Sequence, residues 1–126
     1  MNIVPAEMSL NIEYINSPDF IKIMGFAERV YTFITRIPRG NVSTYKEVAR
    51  ALGTKGYRAV GRALHVNPYA PRVPCHRVIS STGKIGGFAS GTKKKVMMLK
   101  NEGVTVRNGR VDLKKYFFAL KKRKGH

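Results

Sequence analysis

Residues 73–78 have the sequence VPCHRV, in which Cys75, the only cysteine of the chain, is followed directly by His76 and Arg77. A cysteine near a histidine can be an activated nucleophile, because a base or a positive field favours the thiolate, which is the reactive form. A lone cysteine is also a small, frequently buried residue that serves packing alone. The hexapeptide fits both descriptions, so the elements around it have to decide between them.

The segment that carries Cys75 is rich in proline. Three prolines stand within residues 67–74, and proline restricts both its own backbone and that of the residue before it. We therefore predict an extended segment here. Adjacent side chains of an extended chain point in opposite directions, so direct contact between the Cys75 thiol and the His76 ring is not expected without a turn.

Residues 43–66 precede this segment and predict two short helices. Thr44 and Glu47 form a capping box for the first helix, which Gly53 ends. The second helix, from about Tyr57 to His65, has small residues between basic ones. Two short helices around a glycine-containing turn are typical of a helix-turn-helix, and an ordinary pair of core-packed helices is the alternative.

The other predicted elements make the fold mainly α with a small β element. An arm or short strand is expected over residues 1–16. A helix is expected from Ser17 and Pro18 to Ile37, with a possible break near Gly25. Residues 93–104 predict an amphipathic helix that ends at Gly103, and Asn108-Gly109 predicts a hairpin turn. Residues 113–124 predict a basic amphipathic helix.

The charge of the chain indicates a polyanionic partner. Its 126 residues include 24 Lys and Arg against 7 Asp and Glu, a net charge of +17, and residues 93–126 carry +10 of it. Nucleic acid is the first expectation and an acidic membrane surface the second. For the final KKRKGH, a solvated tail is the favoured interpretation.

Several classes of protein are excluded or disfavoured. One cysteine rules out an internal disulfide and a cysteine-rich zinc site, and neither a metal nor a cofactor is expected. The N-terminal residues lack the pattern of a signal peptide, and no apolar run approaches the ~20 residues of a membrane span. We expect a soluble, cytoplasmic, monomeric, single-domain protein.

The motifs together resemble a known family. PCHRV is preceded by YKEVARALG, RAVGRAL and NP, and followed by GKIGGF and NEGV, over residues 26–104. In this order and spacing they are similar to the helix-turn-helix-containing, C-terminal-type domain of the O6-alkylguanine-DNA alkyltransferases. The resemblance implies a DNA-repair protein that flips an alkylated guanine out of the duplex and moves its alkyl group onto Cys75, once per molecule.

The resemblance also implies roles at the reaction site. His76 would activate Cys75 through a bridging water, and Glu102 would hold the imidazole. Tyr45 would hydrogen-bond the guanine and supply a proton. From the residues alone, Glu102 could instead be a solvated acid at a helix end, and Tyr45 could be a core residue. Arg77 would be a structural or phosphate contact.

DNA binding and the base pocket follow from the same resemblance. Arg58 would fill the space left by the extruded base, and Asn67 would be a hinge between the helix-turn-helix and the active-site segment. The second helix would enter the minor groove of double-stranded DNA that contains O6-alkylguanine. The further DNA-binding candidates are Thr44, Lys55, Ala59 and Gly61, and the pocket candidates are Val78, Phe88, Ala89 and Ser90.

The chain also departs from the family pattern. Most members carry a preceding domain, whereas here we expect residues 1–25 to form a short arm in its place, before a DNA-binding domain over residues 26–126 that includes the basic C-terminal extension. Phe88 replaces a frequent tyrosine and Ala89 a frequent serine. Two alternatives remain open: a short alkyltransferase-like protein that binds the lesion without transfer and recruits other repair factors, and a Cys-His hydrolase. The hydrolase is disfavoured because the other histidines are His65, on the second helix, and His126, at the end.

Overall fold

The computed structural model describes residues 25–85 and 92–120, and these residues form a helix-rich fold with two small sheets. The predicted N-terminal arm, the helix start at Ser17 and Pro18, the pocket candidates Phe88, Ala89 and Ser90, and the final KKRKGH lie outside the described residues. The helices are α1 (Phe26–Ile34), α2 (Tyr45–Leu52), α3 (Tyr57–His65), α4 (Thr92–Asn101) and α5 (Leu113–Tyr116). The strands are β1 (Ser43–Thr44), β2 (Val78–Ile79), β3 (Val106–Arg107) and β4 (Arg110–Val111).

The helix-turn-helix is built from α2 and α3, which pack on each other and on α1. The hydroxyl oxygen of Thr44 accepts the backbone N–H of Glu47 at 3.0 Å, so one half of the predicted capping box is confirmed. Gly53 ends α2 with φ of +78°, a left-handed conformation that is easy only for glycine. The predicted bounds of α3 are also confirmed.

Two apolar clusters flank the short parallel sheet of β1 and β2. The first cluster contains the buried apolar side chains of α1, α2 and α3 together with Cys75 and Val78. The second contains Ile79, Leu99 of α4 and Val111 of β4. Because side chains alternate along a strand, Val78 and Ile79 enter different clusters, and β2 therefore joins the helical part of the molecule to the hairpin part.

The predicted hairpin is confirmed between β3 and β4. These strands pair antiparallel around Asn108 and Gly109, whose φ angles of 52° and 72° suit a tight two-residue turn. Residues 83–85 lie along the other side of β4, with an N–H···O bond of 2.8 Å from Val111 to Gly83.

The predicted C-terminal helix is wrong over residues 117–120, and its part beyond residue 120 lies outside the described residues. Of residues 113–120, only Leu113–Tyr116 is helical, after which the chain runs extended beside Val42, with N–H···O bonds of 2.9 Å from Val42 to Tyr116 and 2.7 Å from Phe118 to Val42. Tyr116, Phe118 and Leu120 are buried or half-buried, whereas Phe117 and Ala119 are exposed. Burial therefore alternates from residue to residue, as in a strand, rather than following a helical stripe. Pairing with Val42 satisfies backbone groups that a helix would have bonded internally.

Candidate active site and DNA-binding helix

Cys75 begins a turn of 3-10 helix, Cys75–Arg77, so the prediction of a continuously extended segment is wrong at this point. The backbone N–H of Arg77 bonds the carbonyl of Pro74 at 3.0 Å, which closes the turn. The turn starts after Pro74 because proline fixes the backbone and offers no N–H of its own. Cys75 is 5% exposed and packs in the first apolar cluster. It is therefore a core residue, and its thiol is at the same time the candidate nucleophile.

His76 is buried and bound to a carboxylate. Its Nε2 lies 2.8 Å from Oε2 of Glu102, while its Nδ1 is buried without a hydrogen-bond partner among the described residues. Burial lowers the pKa of His76 below its ordinary value, although Glu102 acts in the opposite direction. The ring is therefore neutral at pH 7, and with Nε2 donating to Glu102 the lone pair is on Nδ1.

Glu102 is held by Arg77 as well as by His76. Arg77 donates from Nε to Oε1 at 2.9 Å and from Nη2 to Oε2 at 2.8 Å, and its Nη1 donates to the carbonyl of Ile37 at 2.8 Å. Burial raises the pKa of Glu102, but the hydrogen bonds from Arg77 and His76 outweigh it and bring the pKa to about 2. The side chain of Glu102 is 7% exposed, so the alternative of a solvated helix-end acid is wrong.

Lys95 is a candidate that the sequence analysis did not find. Its side chain is buried, and Nζ lies 3.3 Å from the hydroxyl of Tyr45 and 5.6 Å from the centre of the Tyr45 ring. Burial lowers the pKa of Lys95 to about 8, while the charge of the nearby Cys75 sulfur favours the protonated amine. In the run Lys93-Lys94-Lys95 it looks like part of a solvated face, and the one available sign was that Leu99, four residues later, shares its side of α4.

Tyr45 faces this lysine from the start of α2. It is half-buried and packs against the first cluster, and burial followed by the charge of Cys75 raises the pKa of its hydroxyl. The hydroxyl is therefore a proton donor at neutral pH. Tyr45 is thus partly a core residue, and its polar end lies in the same region as Lys95 and Cys75.

The DNA-binding candidates divide into exposed and buried residues. Lys55, just before α3, and Arg58, on α3, are exposed. Ala59 and Gly61 also lie on α3 and are half-buried. Thr44 differs from them because it is 4% exposed and its hydroxyl caps α2, so its side chain is not part of this exposed face.

Asn67 connects α3 to the segment that leads to Cys75. Its side-chain amide donates to the carbonyl of Val73 at 2.8 Å and its oxygen accepts the N–H of Tyr69 at 2.9 Å. Val78, the pocket candidate that lies within the described residues, is fully buried.

Within the described part of the chain, no group of three or more His, Cys, Asp or Glu is arranged to hold a metal ion. No helix in this part is long and apolar enough to cross a membrane.

Comparison with known proteins decides the family. Residues 25–104 match the family described as "6-O-methylguanine DNA methyltransferase, DNA binding domain". The chain belongs to this methyltransferase family. A methylated-DNA--protein-cysteine methyltransferase of Saccharolobus islandicus is 45% identical over 92 residues, which are 73% of this chain and 60% of that protein. The chain spans between 30% and 60% of the length of such curated relatives.

Solved structures of the methyltransferase family and of a related protein resemble the fold. The O6-methylguanine-DNA methyltransferase of Pyrococcus kodakaraensis has a TM-score of 0.60 at 34% identity, covering 82% of this chain and 68% of that one. Schizosaccharomyces pombe Atl1, solved with damaged DNA containing O6-carboxymethylguanine, has a TM-score of 0.66 at 35% identity, covering 74% of this chain and 94% of Atl1. The fold class expected from the sequence, with a helix-turn-helix and little sheet, is therefore confirmed.

Proposed function

We propose that the protein repairs DNA by a single transfer of an alkyl group from O6-alkylguanine to the sulfur of Cys75. The observation that carries the proposal is the hydrogen-bonded series Arg77–Glu102–His76. It ends at Nδ1 of the residue next to Cys75, a buried atom without a hydrogen-bond partner in the part of the chain that the structure describes. Neutral His76, oriented by a carboxylate that stays ionised, is a base suited to a thiol.

The reaction balances with the side chains of this site. The thiol proton passes through a water to Nδ1 of His76, and the imidazolium that forms is stabilised by Glu102. The sulfur attacks the alkyl carbon, the bond from that carbon to O6 breaks, and its electron pair remains with guanine. Tyr45 gives a proton to the departing guanine, and Lys95, 3.3 Å from the hydroxyl, holds Tyr45 in place. The thioether product has no route back to the thiol, so each molecule reacts once.

The partner is double-stranded DNA bound by the helix-turn-helix. The net charge of +17 supplies sequence-independent attraction to phosphates. Small residues on α3 let its backbone approach the minor groove, and Arg58 fills the gap that the extruded base leaves. Residues 26–126 form this DNA-binding unit, which acts as a monomer.

Mass spectrometry after incubation with a duplex that contains O6-methylguanine tests the proposal. We expect one added methyl group on the peptide with Cys75, and one equivalent of DNA repaired per protein. Cys75→Ser is the matched variant: it should lose transfer and keep DNA affinity within about threefold, because affinity depends mainly on phosphate contacts. Wild-type protein that binds the duplex but never carries methyl on Cys75 would contradict the proposal.

Lesion binding without transfer is the second candidate, and one observation favours it. Atl1, solved with damaged DNA containing O6-carboxymethylguanine, resembles the fold with a TM-score of 0.66, against 0.60 for the Pyrococcus kodakaraensis methyltransferase. Under this candidate, the protein binds an O6-alkylguanine duplex more tightly than an undamaged one and leaves the lesion intact. The retained Cys75 with its His76 and Glu102 favours transfer.

A further inference from the structure

The hairpin and the segment beside it carry three cations directly opposite one another. Arg107 of β3 pairs with Arg110 of β4, and Arg110 also pairs with Lys84 on its other side. Residues that face each other across antiparallel strands project from the same side of the sheet, with Cβ atoms about 5 Å apart. All three are exposed. We call Lys84, Arg110 and Arg107 the basic row.

The basic row is unfavourable for the hairpin itself. Like charges directly opposite each other destabilise a pair of strands, and the tight turn at Asn108 and Gly109 prevents the register from slipping to separate them. Packing does not require the arginines, because Val106 and Val111 are the hairpin residues that enter the second apolar cluster. Like charges placed opposite each other, with no improvement in packing to compensate for their repulsion, indicate that the cations serve a function.

A cleft of about 280 Å³ lies beside the row, lined by Thr105, Arg107, Arg110, Asp112, Lys115 and Tyr116. Its only carboxylate, on Asp112, already accepts the backbone N–H of Lys114 at 3.0 Å. Arg110 gives one N–H to the carbonyl of Thr82 at 3.2 Å. Over residues 25–85 and 92–120, the guanidinium of Arg107 has no hydrogen-bond acceptor. The cleft thus presents positive charge and unused donors.

We propose that the basic row and this cleft bind phosphates of a nucleic-acid backbone, as a contact additional to that of the helix-turn-helix. Guanidinium groups pair with phosphate oxygens through two parallel hydrogen bonds, which suits a fixed pair of arginines. The hairpin packs on the second apolar cluster and α3 on the first, so the two surfaces belong to different parts of the fold. The proposal does not depend on transfer to Cys75.

Binding to an undamaged duplex across a salt series tests the contact. The logarithm of the association constant falls with the logarithm of salt by about 0.9 per phosphate contact in B-DNA. We expect the slope to fall by about 1 for Arg107→Gln and by 1 to about 2 for the double variant Arg107→Gln/Arg110→Gln. Lys100→Gln removes one exposed charge from α4 and should leave the slope unchanged. Equal slopes for all four proteins would overturn the proposal.

Nuclear magnetic resonance distinguishes nucleic acid from free phosphate as the ligand. Titration with the duplex should shift the amide signals of residues 105–111 in the wild type and not in the double variant. Saturable shifts with inorganic phosphate but none with the duplex would overturn the assignment to nucleic acid, and no shifts with either would overturn the site. The double variant should melt no earlier than the wild type, since it loses a repulsion, so a loss of its amide shifts would report the contact rather than unfolding.

Discussion

The amino group of Lys95 lies 3.3 Å from the hydroxyl of Tyr45, and both groups are close enough to Cys75 for its charge to affect their pKa values. A buried lysine at the end of a basic run is therefore part of the candidate site. Its hydrogen bond to Tyr45 fixes the orientation of the proposed proton donor.

Replacing Lys95 by methionine should slow alkyl transfer at pH 7 by about tenfold, because the thiolate loses a neighbouring cation. Single-turnover rates measured with saturating duplex check this expectation. Lys94→Met changes an exposed lysine of the same helix and is the matched control. A rate for Lys95→Met equal to that of the control would contradict a role for Lys95.

The same substitution should stabilise the fold. The pKa of Lys95 falls from 10.5 in the unfolded chain to about 8 in the folded protein, so below pH 8 its burial costs about 3 kcal/mol. The unfolded chain binds the proton more tightly, so wild-type stability should rise between pH 8 and 10.5, where the cost is relieved. Urea unfolding at several pH values should show this rise in the wild type and not in Lys95→Met.

Glu102→Gln should lower the free energy of unfolding by about 3 kcal/mol at pH 7, because the half-buried Arg77 would lose its counter-ion. The pKa of Glu102 is lowered from 4.5 to about 2, so its contribution is complete above pH 4.5 and is lost as the pH falls through about 2. Wild type and variant should therefore converge in stability over that interval. Glu28→Gln, in the first turn of α1, should cost less than about 1 kcal/mol. A constant difference between wild type and Glu102→Gln from pH 7 to pH 2 would argue against the ion pair.

The rate of transfer should depend on pH through His76. Burial lowers the pKa of His76 below 6.5, so the ring is the neutral base at pH 7 and the rate should fall only in more acidic solution. The acid limb of the single-turnover profile should have a midpoint below 6.5. A midpoint above 6.5 would show that His76 is charged at neutral pH and is not the base.

Gly61→Ala should raise the stability of the protein and weaken its binding to DNA. Gly61 lies within α3, and a Cβ added there meets nothing within 4 Å, so alanine should stabilise the helix by about 0.5–1 kcal/mol. If α3 faces the minor groove, the added methyl should weaken duplex binding about fivefold, which corresponds to about 1 kcal/mol. Gly53→Ala, in the left-handed conformation that ends α2, should instead lose about 1 kcal/mol of stability. Unchanged DNA affinity for Gly61→Ala would place the binding surface elsewhere.

Local patterns in the sequence determined the elements whose bonds are local. Thr44 caps α2 and Gly53 ends it, Tyr57–His65 is helical, and Asn108-Gly109 turns the hairpin, because each depends on residues only a few positions apart. The prediction of a helix in the C-terminal segment was wrong for the opposite reason. Its extended form depends on Val42, more than seventy residues earlier, and residues 113–120 contain no sign of that partner.

At the site, the sequence by itself determined which residue types are present. The motifs around Cys75 indicated the family, and the resemblance to it predicted that His76 and Glu102 lie together beside Cys75. Only the tertiary structure decided that Arg77 binds both oxygens of Glu102, that Lys95 is buried beside Tyr45, and that Thr44 is a cap rather than an exposed contact. A charged side chain has the same identity in solvent and in a core. Its pKa and its partners depend on which other elements fold around it, and that is a property of the packed molecule.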